Sequence, residues 1–235
     1  MQLPANGTGG SSEHGHSLMN VDQARFNMVE QQIRTWEVLD QKVLDLMAEV
    51  PREDFVPAAY RNLAFADTCI PLAHGQTMML PRVEARMLQA LQIEPAERVL
   101  EVGTGSGFVT ALLARLAAHV TSVEIHDTLR REAQEKLARH GIENVELHTG
   151  DACRGWDQGA PYDVIAVTGS LPELDQRFQE SLTIGGRLFV IIGQEPAMEA
   201  LLITRTSATQ WATESLFETV VPPLVGVEQP ERFVL

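Results

Sequence analysis

From Val21 to Val50 apolar residues recur at three- and four-residue steps, through Phe26, Val29, Ile33, Val38, Leu39, Val43, Leu46 and Met47, a spacing that predicts helix. Asp40 is placed to cap a second helical piece, and Pro51 stops it. Pro51 to Pro57 then reads as a loop that a packed Phe55 would anchor. The stretch from Asp67 to Leu80 is irregular. Pro81 falls where a first helical turn tolerates proline, and that helix is expected to run to about Ile93.

Beyond Ile93 strand and helix patterns alternate. Strands are predicted at 98–102, 119–124, 144–148, 163–168 and 187–192, with helices at 106–117, 127–140 and 172–182. A terminal strand pair is predicted from Ala200 to Thr206 and from Gln210 to Val221. Such alternation indicates an α/β fold with a mostly parallel sheet covered on both faces. Residues 1–20 lack apolar periodicity, are rich in Gly, Ser, Asn and His, and read as a disordered tail with Met19 as an alternative start. His14 and His16 in that tail have neither Cys nor carboxylate partners and do not suggest a metal site.

The chain has 235 residues, enough for one substantial α/β domain with decorations. It contains no secretory pattern and no apolar run long enough to predict a membrane helix. Two cysteines, Cys69 and Cys153, form neither a paired motif nor a framework, so a reducing cytoplasm is expected. The 32 acidic residues outnumber the 18 basic ones, for a net charge of −14 that would repel phosphate backbones; a nucleic-acid partner is not expected.

Candidate chemistry concentrates in Val99-Leu100-Glu101-Val102-Gly103-Thr104-Gly105-Ser106-Gly107-Phe108, with Val123-Glu124 following at the end of the next strand. A strand runs into glycines that permit a tight turn and a close backbone approach, and a helix opens behind them. Glu124 is placed to accept hydrogen bonds from both hydroxyls of a ribose. A dinucleotide site wants GxGxxG, with the pyrophosphate on the helix N-terminus. Here the spacing is GxGxG, and the acidic Glu101 suits the ammonium of a methionine moiety better than a pyrophosphate. The cofactor this favours is S-adenosylmethionine, with a nicotinamide oxidoreductase a distant alternative. Gly150-Asp151-Ala152 follows the third strand of the alternating region, where Asp151 can accept from an adenine amine, and Thr168 reaches the same sheet edge.

These residues, together with Val50 to Pro57, Gly75-Gln76-Thr77 before Pro81, Ala160-Pro161-Tyr162-Asp163 and Gly185-Gly186-Arg187-Leu188, resemble the protein-L-isoaspartate O-methyltransferases over roughly residues 26–225. The resemblance implies a doubly wound, mostly parallel seven-stranded sheet, the Rossmann-like methyltransferase fold, with an antiparallel last strand and an N-terminal helical extension. It divides the chain into the tail 1–20, a helical and substrate-loop region 21–97, and an S-adenosylmethionine-binding core 98–235. Glu101, Gly103, Gly105 and Gly107 would hold the methionine end, Glu124 and Ile125 the ribose, and Asp151 and Ala152 the adenine, with Thr168 nearby. The reaction implied is repair of damaged proteins: the α-carboxylate of an isoaspartyl residue is methylated by in-line displacement. A carboxylate is ionised at neutral pH, so no general base and no metal are needed.

Departures from the family pattern fall on the acceptor side. The family carries Thr-Ile-Ser, one further residue and Pro; here Thr77-Met78-Met79-Leu80-Pro81 puts Met79 at the serine position, where a thioether cannot donate a hydrogen bond. Val220-Val221-Pro222-Pro223-Leu224 stands where Arg-Phe-Val-Pro-Leu is usual, Gly169-Ser170 where alanines are usual, and Ile191-Ile192-Gly193 where Pro-Val-Gly is usual. Thr77 and the Met79 position are the candidate catalytic residues. The sequence leaves three readings open: a protein or peptide substrate with isoaspartyl residues, another acceptor such as a small carboxylate, or cofactor binding without catalysis. His74 and His119 read as loop or surface residues.

Overall fold

A computed structural model of the chain describes residues 21–228. The tail, with His14, His16 and Met19, lies outside the described residues.

The N-terminal helical pattern is broken rather than continuous. α1 (Val21–Asn27) passes into a π-helical turn, Met28–Ile33, that buries Met28, Val29 and Ile33, and a 3₁₀ turn follows at Arg34–Trp36. Glu37 then takes a left-handed φ of 62° and ends the run. α2 (Gln41–Glu49) is capped as its sequence predicts: the Asp40 side chain accepts from the Lys42 amide. Phe55 is fully buried against the Phe108 ring and stacks on His140, so the loop after Pro51 is anchored as expected.

Within the irregular 67–80 segment a two-residue hairpin forms, β1 (Ile70–Pro71) pairing antiparallel with β2 (Thr77–Met78). α3 (Pro81–Leu91) starts at its proline and stops at Gln92, whose φ is 45°.

The alternating region builds one seven-stranded sheet: β3 (Arg98–Val102), β4 (His119–Glu124), β5 (Val145–Thr149), β6 (Tyr162–Leu171), β7 (Leu182–Gln194), β8 (Ala197–Ser207) and β9 (Gln210–Glu218), in the spatial order β5-β4-β3-β6-β7-β8-β9. The first five are mutually parallel; β8 and β9 are added antiparallel. The intervening helices are α4 (Phe108–Leu116), α5 (Asp127–Arg139) and α6 (Gln176–Glu180). All three are shorter than predicted, α5 by a single residue. Gly107, at φ 84°, cannot be helical and delays α4 to Phe108. β6 runs on through Ser170 and Leu171, and α6 begins only where Asp175 caps the Arg177 amide.

Strand alternation sorts the core. Val99, Val164, Ala166 and Phe189 face α2, α3 and α4; Leu100, Val102, Ile165, Val167, Leu188 and Val190 face the opposite side with Phe178 of α6. Arg187 fastens β7 to the end of α3, its Nε donating to the Leu91 carbonyl at 2.9 Å. β4 and β6 lie on either side of β3, so the winding reverses there and leaves a crevice at the carboxyl ends of these strands.

Candidate functional site

At the carboxyl end of β3 the chain turns on Gly103, whose φ is 98°. A Cβ there would lie 2.5 Å from Thr168 Oγ1, so the position is closed to any side chain. Thr168 occupies that space for a reason: its hydroxyl lies 2.9 Å from the Val102 carbonyl oxygen and 2.7 Å from that of Gly103, tying β6 to the turn. The Gly103 amide donates to the Val123 carbonyl, joining the turn to β4.

Glu124 closes the other side. One carboxylate oxygen accepts from the Gly105 amide at 2.8 Å and the other from the His126 amide at 3.0 Å. Each oxygen retains a lone pair, so the pair of ribose hydroxyls expected from the sequence has a matching pair of acceptors. Glu124, Ile125, Gly150, Asp151 and Ala152 line one cleft, with Val225 across it. Asp151 is held by the Cys153 amide, which donates to its Oδ1.

A second part of the same cleft joins Gly103, Gly105, Glu124 and Thr168 to Gln76 and Thr77. Beside it, Thr77 and Met79 share a cavity of about 30 Å³ with Gly103, Gly105, Ser106 and Glu84. β2 and the residue after it thus bring Thr77, Met78 and Met79 to one cavity. Met79 is buried, and its carbonyl accepts from Arg52 Nη2 at 2.9 Å.

Glu101 is placed differently from its sequence expectation. It shares the strand face of Val99, beneath α4, and is fully buried. Thr110 and Ser122 hydroxyls both donate to its Oε2, and Thr104 joins the chain through Ser122. Burial pushes its carboxyl up to about 8 against the pull of those two hydroxyls, with Glu124 adding to the rise. Near neutral pH it is largely a neutral acid that buttresses the turn from below, not an anion presented to the cleft. Of the sequence-derived set, Gly103, Gly105, Glu124, Ile125, Asp151, Ala152, Thr168, Thr77 and Met79 line the cleft; Gly107 starts α4 against Ala133.

Comparison with known proteins gives the family. The family model "Protein-L-isoaspartate(D-aspartate) O-methyltransferase (PCMT)" matches residues 23–229. The chain belongs to this family. Relatives include protein-L-isoaspartate O-methyltransferase 1 of Rhodopseudomonas palustris strain HaA2, 43% identical over 87% of this chain and 84% of that protein. Another is the protein-L-isoaspartate O-methyltransferase of Koribacter versatilis, 40% identical over 88% of this chain and 91% of its own length. Among solved structures, a protein-L-isoaspartate O-methyltransferase superposes with a TM-score of 0.72 at 25% identity, covering 88% of this chain; this chain spans 66% of that one. A Plasmodium falciparum structure described as a putative protein-L-isoaspartate O-methyltransferase in complex with S-adenosyl-L-homocysteine superposes at 0.73, over 85% of this chain and 97% of its own; at 21% identity that likeness is one of fold.

Two of the departures from the family pattern, Gly169-Ser170 and the 221–224 segment, pack on each other. Ser170 donates from Oγ to the Val221 carbonyl at 2.7 Å, its amide bonds Pro222 and its carbonyl takes the Leu224 amide. A Cβ at Gly169 would lie 2.7 Å from Leu224 Cδ2. Gly169 and Ser170 therefore accommodate the 221–224 segment, which lines the cleft through Pro223 and Leu224.

Sequence reasoning passed over one residue here. Glu84, in the first turn of α3, sits where acidic residues ordinarily serve the helix dipole, yet it is buried against Arg52. Burial pushes its carboxyl up to about 7, with Arg52 pulling the other way. His74 is a loop residue as read, at a left-handed φ of 59°. It stacks on His126 with ring centroids 4.2 Å apart and approaches Thr128 Oγ1 at 2.6 Å, so it also ties its own loop to α5. His119 lies partly exposed near Glu146, as a surface residue would.

Proposed function

We propose that this protein is an S-adenosylmethionine-dependent O-methyltransferase acting on the α-carboxylate of isoaspartyl residues in damaged proteins. One observation carries the reading: the Gln76-Thr77 segment and the Gly103–Glu124 cradle line a single cleft, so a cofactor bound by one meets an acceptor bound by the other.

The residues present fit that cofactor. Gly103 lets the turn close against Thr168 beside the cleft, Glu124 offers two free acceptor positions, and Asp151 stands where an adenine amine would need one. When bound, S-adenosylmethionine supplies an electrophilic methyl group on sulfur.

What the chain's own residues contribute is alignment and dryness. Met79, Met78 and Leu72 present apolar surface to the cavity they share with Thr77, and a carboxylate held against such a wall loses the water that would shield its oxygen. Thr77 supplies the hydroxyl on that wall. Two free cysteines, Cys69 and Cys153, favour a reducing compartment, the cytoplasm.

Met79 also favours a second reading, a member of the family turned to a different acceptor, because no donor stands at the serine position. The test is transfer of labelled methyl from S-adenosylmethionine to an isoaspartyl peptide and to its aspartyl twin, by the native chain and by Met79→Ser. Transfer confined to the isoaspartyl peptide supports repair activity. Cofactor binding without transfer, restored by Met79→Ser, would transfer support to the second reading.

A further inference from the structure

His74 is where the loop between β1 and β2 grips the start of α5. Its backbone is left-handed, at φ 59°, a conformation unfavourable for any residue that carries a Cβ. A residue that persists there is held by its surroundings. Here the surroundings are two contacts of the ring. It lies on His126 at 4.2 Å between centroids, within 9° of parallel, and its Nε2 is 2.6 Å from Thr128 Oγ1.

Both sides of the stack lead into the cleft. On the loop side, the His74 carbonyl accepts from Gln76 Nε2 at 3.2 Å, and the Gln76 carbonyl accepts from the Leu72 amide at 2.8 Å. Gln76 lines both parts of the cleft, and Thr77 follows it. On the sheet side, the His126 amide donates at 3.0 Å to Glu124, the carboxylate that faces the ribose position. Among the described residues His126 Nε2 is buried without a hydrogen-bond partner, so this ring rests on the stack rather than on a polar bond there. The His74 ring, the His126 residue and the Glu124 carboxylate are thus joined by direct contacts.

We infer that His74 is a positioning residue for the cofactor: its ring latches the β1–β2 loop to the end of β4, and through His126 it fixes the Glu124 carboxylate that meets the ribose hydroxyls. The inference rests on the cofactor reading above and deepens it. It makes a residue outside the glycine turn, and outside the lining of the cleft, a determinant of ribose recognition.

Calorimetry with S-adenosyl-L-homocysteine and its 2′-deoxy analogue tests this without turnover. The native chain is expected to bind the deoxy analogue about tenfold more weakly, because one Glu124 oxygen loses its donor. His74→Gly suits the left-handed backbone and removes the ring, so relief of backbone strain cannot cause a loss. It is expected to bind S-adenosyl-L-homocysteine about fivefold more weakly than the native chain and to discriminate less against the deoxy analogue. His126→Ala should behave alike, since it keeps the amide and removes the other ring, whereas His126→Phe should keep most of the native affinity. The double variant His74→Gly, His126→Ala is expected to be no weaker than either single one. Native affinity in His74→Gly overturns the assignment, and so does weakening by one factor toward both ligands, which marks a structural effect only. Additive losses in the double variant overturn it as well, by showing that the two rings do not act through each other. A native chain that binds both ligands equally removes the Glu124 step on which the assignment depends. Failure of the native chain to bind S-adenosyl-L-homocysteine at all removes the cofactor reading itself, and the inference with it.

Discussion

Arg52 and Glu84 stand 32 positions apart in the chain and meet as an ion pair that solvent does not touch. The guanidinium also lies 4.7 Å over the Phe108 ring and holds the Met79 carbonyl. One side chain thus links the loop after α2, the first turn of α3, the residue after β2 and the start of α4. Buried pairs of this kind stabilise little relative to apolar replacements, but removing one partner strands the other's charge.

Arg52→Met is therefore expected to cost about 3–5 kcal/mol at pH 8.5, read from urea unfolding. The loss should shrink at pH 5.5, because Glu84 without its cation can take up a proton instead of remaining a buried anion. Arg52→Met combined with Glu84→Met should recover most of the stability. A single variant equally impaired at both pH values would show that lost packing, not stranded charge, is the cause.

Glu101 and Glu84 give stability a definite slope with pH. Their folded-state values, about 8 and about 7, lie above the ordinary 4.5, so between those limits the folded chain binds more protons than the unfolded one. The stabilisation is fully present below the unfolded value and is lost as pH rises through 7 and 8. A decline of stability between pH 5 and pH 9 is expected, visible as a fall in melting temperature. Glu101→Gln keeps the shape and an acceptor for Thr110 and Ser122, and should flatten much of that decline. An unaltered slope in this variant would locate the titration elsewhere.

Strands β3 and β4 have the limits that alternation predicts, because both are central and their apolar runs end where the chain leaves the sheet. The cleft residues were legible for a related reason: a glycine turn and an acidic strand end are local features. Glu101 was not, since its fate depends on α4 covering the Val99 face and placing Thr110 above it. Glu84 was hidden because its partner lies in another segment; in sequence it is one more acidic residue in a first helical turn. The break in the first helix is likewise tertiary, as Met28, Val29 and Ile33 are drawn onto a common core with α2 and α3.

Gly103→Ala should show how tightly the turn is built. The substitution adds a methyl 2.5 Å from Thr168 Oγ1 at a φ of 98°, so both a clash and backbone strain follow. The expected cost is about 2 kcal/mol or more, with loss of S-adenosyl-L-homocysteine binding by calorimetry. Adding Thr168→Ala relieves the clash but leaves the φ, so stability should return only in part. Full recovery would mean that the left-handed backbone carries no strain of its own.

The 221–224 segment offers a different contrast. Ser170→Ala removes one bond, from Oγ to the Val221 carbonyl, and leaves both backbone bonds of residue 170; a cost of about 1 kcal/mol is expected. Gly169→Ala removes no bond, yet its methyl would sit 2.7 Å from Leu224 Cδ2 and 3.3 Å from the Leu224 amide nitrogen. The side chain can swing aside, whereas the backbone can retreat only by giving up its bond to Ser170. Hydrogen exchange at the Leu224 amide should thus accelerate more in Gly169→Ala than in Ser170→Ala. Since Leu224 also lines the cleft, Gly169→Ala should alter ligand affinity as well. The reverse order of exchange rates would mean that the Ser170 hydroxyl, rather than the space left by Gly169, sets the position of this segment over the site.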